Sequence, residues 1–139
     1  MTTEYTKPLP APLHRELTKP FWEATQRHEL IIPRCKQCGE FFWYPREICP
    51  NCLSFDWEWQ QVSGKGRVYT FTIVRQPQYP AFGADVPYVF AMIQLNEGIR
   101  MISNVVGCPI EAVKVDMAVE VVFEDVTPEC TLFKFKPAG

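Results

Sequence analysis

Two cysteine pairs, Cys35-x₂-Cys38 and Cys49-x₂-Cys52, stand ten residues apart and constrain this chain more than any other feature. Four thiolates carried on two short loops are how a protein builds a tetrahedral Zn–S₄ site. A two-residue gap lets both sulfurs of a knuckle lie about 3.7 Å apart, roughly what Zn–S bonds near 2.3 Å demand. An all-cysteine ligand set leaves no open position for water or substrate. The metal expected at Cys35, Cys38, Cys49 and Cys52 is therefore structural zinc, and any chemistry lies elsewhere.

Other readings of the cysteines fit less well. A disulfide framework needs an oxidising compartment, yet the opening residues MTTEYTKPLPAP have neither a basic nor an apolar leader region. A redox CxxC belongs at a strand-to-helix junction, whereas each pair here runs on into aromatic, strand-like sequence (Phe41 to Tyr44, and Phe55 to Trp57). A rubredoxin-type iron centre uses the same four-thiolate geometry, and spacing alone leaves it open. Cys108 and Cys130 sit in apolar surroundings and are expected to be buried, inert thiols.

At 139 residues the chain makes one domain of ordinary size or two small lobes. A hydrophobic content of 47% supports a packed core over most of its length. No apolar run approaches 18 residues, so no membrane span is expected, and a cytoplasmic location follows as the expectation. The formal charge of −2 lacks the basic balance with which a protein neutralises nucleic-acid phosphates. Arg34, Lys36 and Arg46 are placed to offset part of the thiolate charge.

Three parts are expected: an N-terminal arm and helix over 1–29, a zinc ribbon over 30–60 and a β-barrel over 61–139. Pro8, Pro10 and Pro12 favour an extended arm. Thr18-Lys19-Pro20 reads as a helix start, and Leu17, Phe21, Ala24 and His28 share one face of a helix running to about Glu29, with Trp22 beside it. His28, at the helix end, is read as a cap or dipole partner. In the ribbon, Leu30-Ile31-Ile32 enters as a strand and Phe41 to Tyr44 is expected to lead back. Gly39 follows the first pair where a left-handed residue helps amides point at sulfur, while Leu53 stands where the second knuckle lacks that glycine. Beyond residue 61 strands are expected at Val68–Arg75, Tyr88–Leu95, Ile99–Val106, Met117–Val126 and Cys130–Lys136, with a short helical turn at Pro109–Val113. Five strands interrupted once between the third and fourth fit a closed OB-fold barrel, so the chain is mainly β.

Motifs for self-sufficient catalysis are missing. There is no phosphate-binding glycine loop and no G-x-S-x-G elbow, and His14 and His28 are the only histidines. No carboxylate pair sits in an apolar context that would raise a pKa for acid–base work.

Phe21-Trp22-Glu23, Pro33-Arg34-Cys35-x₂-Cys38-Gly39, Tyr44-Pro45-Arg46, Cys49-Pro50-x-Cys52, the stretch Gly66-x-Val68-Tyr69-Thr70-Phe71-Thr72 and Val119 to Phe123 occur together here. This combination resembles the acyl-CoA-associated family of zinc-ribbon plus OB-fold proteins, formerly catalogued as a domain of unknown function. The resemblance covers about residues 15–136. It departs at Asp116, where relatives often carry glycine before the fourth barrel strand. It implies a non-catalytic accessory subunit that pairs with thiolase-superfamily enzymes (thiolases, acyltransferases or side-chain aldolases) and helps to hold a CoA thioester.

On that implication Phe21 and Trp22 of the helix, and Tyr79 and Phe82 of the Pro77–Pro87 loop, are candidate contacts for partner or acyl-CoA. Arg75 and Arg67 are candidates for the CoA phosphates. The alternative is a single-stranded nucleic-acid binder, since OB barrels and zinc ribbons both serve there and Tyr69 and Phe71 suggest base stacking.

Overall fold

A computed structural model describes residues 16–77 and 80–138. The arm expected over 1–13 and Tyr79 lie outside the described residues. Helix α1 spans Lys19–Gln26, with Pro20 in its first turn, where a missing amide proton costs nothing. Thr18 precedes it without a side-chain cap bond. The helix closes when the Arg27 and Glu29 amides both turn to the Ala24 carbonyl, at 3.0 and 2.9 Å, with His28 left-handed at φ 60°.

The apolar face of α1 points where its periodicity predicts. Phe21 and Ala24 are buried, and the Phe21 ring lies 5.0 Å from Trp43 and 5.5 Å from Phe133, with Trp59 stacked at 6.3 Å. One side chain thus joins the helix, the ribbon and the barrel. His28 does more than close the helix. Its Nε2 reaches both Asp125 carboxylate oxygens at 3.1 Å and its ring stacks on Phe123, tethering the helix end to the barrel. The Thr131 hydroxyl donates to the same carboxylate, and together with His28 it holds Asp125 below the usual carboxylate range.

The ribbon is a two-stranded antiparallel sheet of β1 (Ile31–Cys35) and β2 (Trp57–Gln61). Here the structure corrects the sequence reading: the strand that returns to β1 is 57–61, not 41–44. Phe41 makes only a single bridge to Arg34, because the next side chains serve different cores. Phe42 packs against Cys35 and Cys49, Trp43 turns to the main core, and Pro45 then offers no amide to a ladder.

Strands β3 (Lys65–Val74), β4 (Tyr88–Leu95), β5 (Arg100–Val105), β6 (Ala118–Thr127) and β7 (Cys130–Pro137) close into a barrel in the order β3-β4-β5-β7-β6. The antiparallel β4–β5 hairpin turns at Gly98, and the closing β5–β7 contact is a parallel pair, Val105 with Phe135. A 3₁₀ turn at Ile110–Ala112 separates β5 from β6. Alternation sends Val68, Ile93, Leu95, Met101, Val119 and Phe135 inward, where all are buried. Phe71 also packs into this core, so only Tyr69 of the expected stacking pair lies on the outside. Asp116 takes φ 69°, a left-handed conformation that favours glycine. Among the described residues no helix is long and apolar enough to cross a membrane.

Candidate metal centre

The two knuckles repeat one backbone pattern. Cys35 and Cys49 donate their amides to Glu40 and Ser54 carbonyls, at 2.9 and 2.8 Å, and accept at their own carbonyls from Gly39 and Leu53, at 3.0 and 2.9 Å. Both fourth residues are left-handed, Gly39 at φ 78° and Leu53 at φ 64°. This fold places the Cys35, Cys38, Cys49 and Cys52 sulfurs within 4.8 Å of one another. Cys35 and Cys52 approach to 3.5 Å, Cys38 and Cys49 to 3.7 Å. A tetrahedral site with metal–sulfur bonds of about 2.3 Å has sulfur edges of about 3.8 Å. The donor set fits a four-thiolate metal.

Amide donors surround the sulfurs. The Cys38 and Asn51 amides point at Cys35 and Cys49 Sγ, each at 3.4 Å, and the Asn51 side chain donates to Cys38 Sγ at 3.5 Å. The Asn51 amide first, then a backbone bond with Glu40, brings the Cys38 thiol down to about 6. At Cys52 a backbone bond with Ser54 lowers the pKa, but desolvation and the three neighbouring sulfurs outweigh it and push the thiol up to about 12. The cluster ionises easily once and resists ionising fully, which is what a dication relieves. Arg34 braces the first knuckle through Nε to the Gly39 carbonyl at 3.0 Å, with its Nη1 on Gln60. Lys36 is spent on Asp56 and Glu58 at the surface.

Asn51 was not singled out by its sequence, although a polar residue inside a CxxC pair is the available signal. Asn51→Ala is expected to lower metal affinity by about tenfold or more, as loss of an outer-shell hydrogen bond does. Because the Cys38 thiolate loses its first stabiliser, the pH of half metal release should also rise. A chelator competition followed across pH checks both. Leu53 carries left-handed strain of about 1 kcal/mol while its side chain is 66% exposed. Leu53→Gly should raise stability by roughly 0.5 kcal/mol, after several tenths are lost to a freer unfolded chain. Denaturant unfolding of the metal-loaded protein measures it.

The remaining candidate residues are scattered. Phe21 is buried in the joint described above and has no surface to offer. Trp22 is half-buried, and among the described residues its buried indole N–H finds no acceptor. Arg75 is exposed just past β3. Phe82 lines a cleft of about 500 Å³ with Pro87, Phe90, Asn104, Cys108 and Lys134. Cys130 is fully buried, and burial raises its thiol pKa; Cys108 is half-buried in the cleft wall rather than inside the core.

A short helix locked to a four-cysteine ribbon, itself seated on a closed five-stranded OB barrel, defines the class of protein. Family models agree: "ChsH2, rubredoxin-like zinc ribbon domain" matches residues 22–58 and "ChsH2, C-terminal OB-fold domain" matches 59–124. A "DUF35 domain-containing scaffold protein" of Methanocaldococcus jannaschii is 39% identical over 119 residues, covering 81% of this chain and 84% of that protein. The chain in the solved structure titled "Ltp2-ChsH2(DUF35) aldolase" superposes at a TM-score of 0.83 with 34% identity, over 94% of this chain and all of that one. The chain belongs to the ChsH2-type DUF35 family of zinc-ribbon plus OB-fold proteins.

Two enzyme subunits are also similar. A "Probable enoyl-CoA hydratase alpha subunit" of Thermomonospora curvata is 38% identical over 85% of this chain, which spans only 37% of that relative's length. "Benzoylsuccinyl-CoA thiolase subunit BbsA" of Geobacter metallireducens is 35% identical over 53% of this chain and 48% of its own.

Proposed function

We propose that this chain is a non-catalytic accessory subunit of a thiolase-superfamily enzyme acting on acyl-CoA thioesters. The observation that carries the reading is the end-to-end likeness to the ChsH2 chain of an aldolase assembly, a chain that this one covers completely. A relative named as a thiolase subunit, and another named as a hydratase subunit working on enoyl-CoA, point to the same substrate class. In this reading Cys35, Cys38, Cys49 and Cys52 hold zinc, whose role is to crosslink two knuckles that bury too little to fold alone. The chain's own residues then supply surfaces: helix α1, the ribbon and the barrel meet at Phe21.

A CoA thioester would lie where the chain meets its partner. Arg75 offers a cation for its phosphates, and Phe82, with Trp22 and Tyr79 as the other candidates, offers apolar cover. The nucleic-acid alternative has less to stand on. Arg100 lies 3.9 Å over the Tyr69 ring and occupies one stacking face, while Phe71 packs into the core. Affinity purification of the chain from its native cell tests the reading. A thiolase-superfamily protein is expected in stoichiometric yield; recovery of the chain alone, or with oligonucleotide, would overturn it.

A further inference from the structure

The outer face of β3, β4 and β5 differs in chemistry from the rest of the barrel. Cross-strand register sets three rows there: Thr72, Phe90 and Asn104; Thr70, Met92 and Ile102; Arg67, Gln94 and Arg100. Phe90 and Ile102 remain 44% and 38% exposed, and Tyr69, at the bulge beside them, 44%. No acidic residue occurs in any of the three strands, although the chain as a whole is net negative. By contrast β6 and β7 pair their charges, Glu120 with Lys136 and Glu124 with Lys134. Among the described residues neither Arg67 nor Arg100 has a carboxylate partner. Phe90 also stands at the rim of the 500 Å³ cleft, so the face continues into a recess.

Aromatic side chains, methionine and arginine with aspartate and glutamate absent is the composition of a protein-docking patch rather than of a solvated sheet. Solvent exposure of Phe90 and Ile102 brings no stability to the isolated chain, and Arg67 and Arg100, the latter stacked on Tyr69, offer two guanidinium groups to carboxylates from outside. We infer that the outer face of β3–β4–β5 is the surface on which the thiolase-superfamily partner docks, through an apolar patch bordered by Asp or Glu side chains. The inference rests on the accessory-subunit reading and assigns its interface. Charge complementarity selects this face: the ribbon's exposed Leu53 and Phe55 adjoin Asp56, whereas Phe90 and Ile102 have only basic and neutral neighbours in the register.

Site-specific photo-crosslinking tests it. The crosslinker p-benzoylphenylalanine replaces Phe90, Ile102, Leu53 or Glu129 in the full chain within its native cell, and crosslinked products are identified by mass spectrometry. Products joining Phe90 and Ile102 sites to a thiolase-superfamily protein are expected, with little from Leu53 or Glu129. In the purified complex, Arg67→Glu with Arg100→Glu should weaken association by about tenfold or more, and Phe90→Ser should do the same. Far-ultraviolet circular dichroism and metal content confirm that each variant is folded. Crosslinks to that protein only through Leu53 or Glu129 overturn this inference and leave the accessory-subunit reading intact. Crosslinks through Phe90 to a second copy of the chain or to nucleic acid overturn the inference. So does unchanged affinity of the charge-reversed variant. If no thiolase-superfamily protein is captured at any site, both readings fail.

Discussion

Removing the metal should shift tryptophan emission strongly to the red while the barrel keeps its β-sheet circular-dichroism signal. All four tryptophans, Trp22, Trp43, Trp57 and Trp59, fall in the helix and ribbon, and none in the barrel. The ribbon's own apolar cluster is small: Cys35, Phe42 and Cys49 with Cys38 and Trp57 against them. Two of its three buried members are candidate metal ligands. Structural zinc contributes on the order of 10–16 kcal/mol apparent in zinc-finger peptides, far more than such a cluster can. Without the metal, Trp57 should lose its edge-on contact with Phe42 and its bond to the Glu47 carbonyl. Cys49→Ser should give the same spectrum, with aggregation and loss of partner binding. A fully demetallated protein with unchanged emission and melting would show that the ribbon stands on packing alone.

Phe21→Ala is expected to cost about 3–5 kcal/mol, the range for truncating a buried aromatic side chain. The Phe21 ring is 2% exposed and is walled by Trp22, Trp43, Trp59 and Phe133, which come from the helix, the ribbon and β7. No single element can move in to fill the space, so the cavity should persist. Phe21 is the largest side chain the helix buries; Ala24 and Thr25 are small, Trp22 is half-buried, and the His28–Asp125 pair and the Gln26 bond to the Pro128 carbonyl are exposed, where such pairs contribute about 0–1 kcal/mol. Its loss should therefore unseat α1 as well as destabilise the core. Phe21→Leu, which keeps most of the volume, should cost less than half as much. Denaturant unfolding gives both values; a loss below about 1 kcal/mol for Phe21→Ala would mean that the three parts are not joined there.

The four-cysteine cluster and the barrel were legible because both are written in local spacing. CxxC pairs fix sulfur positions through one turn of backbone. Strands from Lys65 onward announce themselves by alternation and by turn residues such as Gly98. The ribbon's return strand was not legible. Phe41 to Tyr44 has stronger β-forming residues than Trp57-Glu58-Trp59, and only tertiary packing shows that its side chains divide between two cores. His28 was read from its place at a helix end, whereas its partner Asp125 lies 97 residues away. Phe21 was read as a candidate contact for partner or acyl-CoA, because the sequence cannot show three tryptophans converging on it. The acid-free strands β3 to β5 were in plain sight, but only register turns a composition into a face.

Reconstitution tests most directly the proposal that the chain serves another enzyme's chemistry. Purified chain, purified thiolase-superfamily partner and the reconstituted complex should be compared for turnover of the partner's acyl-CoA substrate. The account predicts no turnover by the chain alone, impaired turnover by the partner alone, and full rate on mixing. Turnover by the chain alone, or a partner that reaches full rate and unchanged KM without it, would contradict the account.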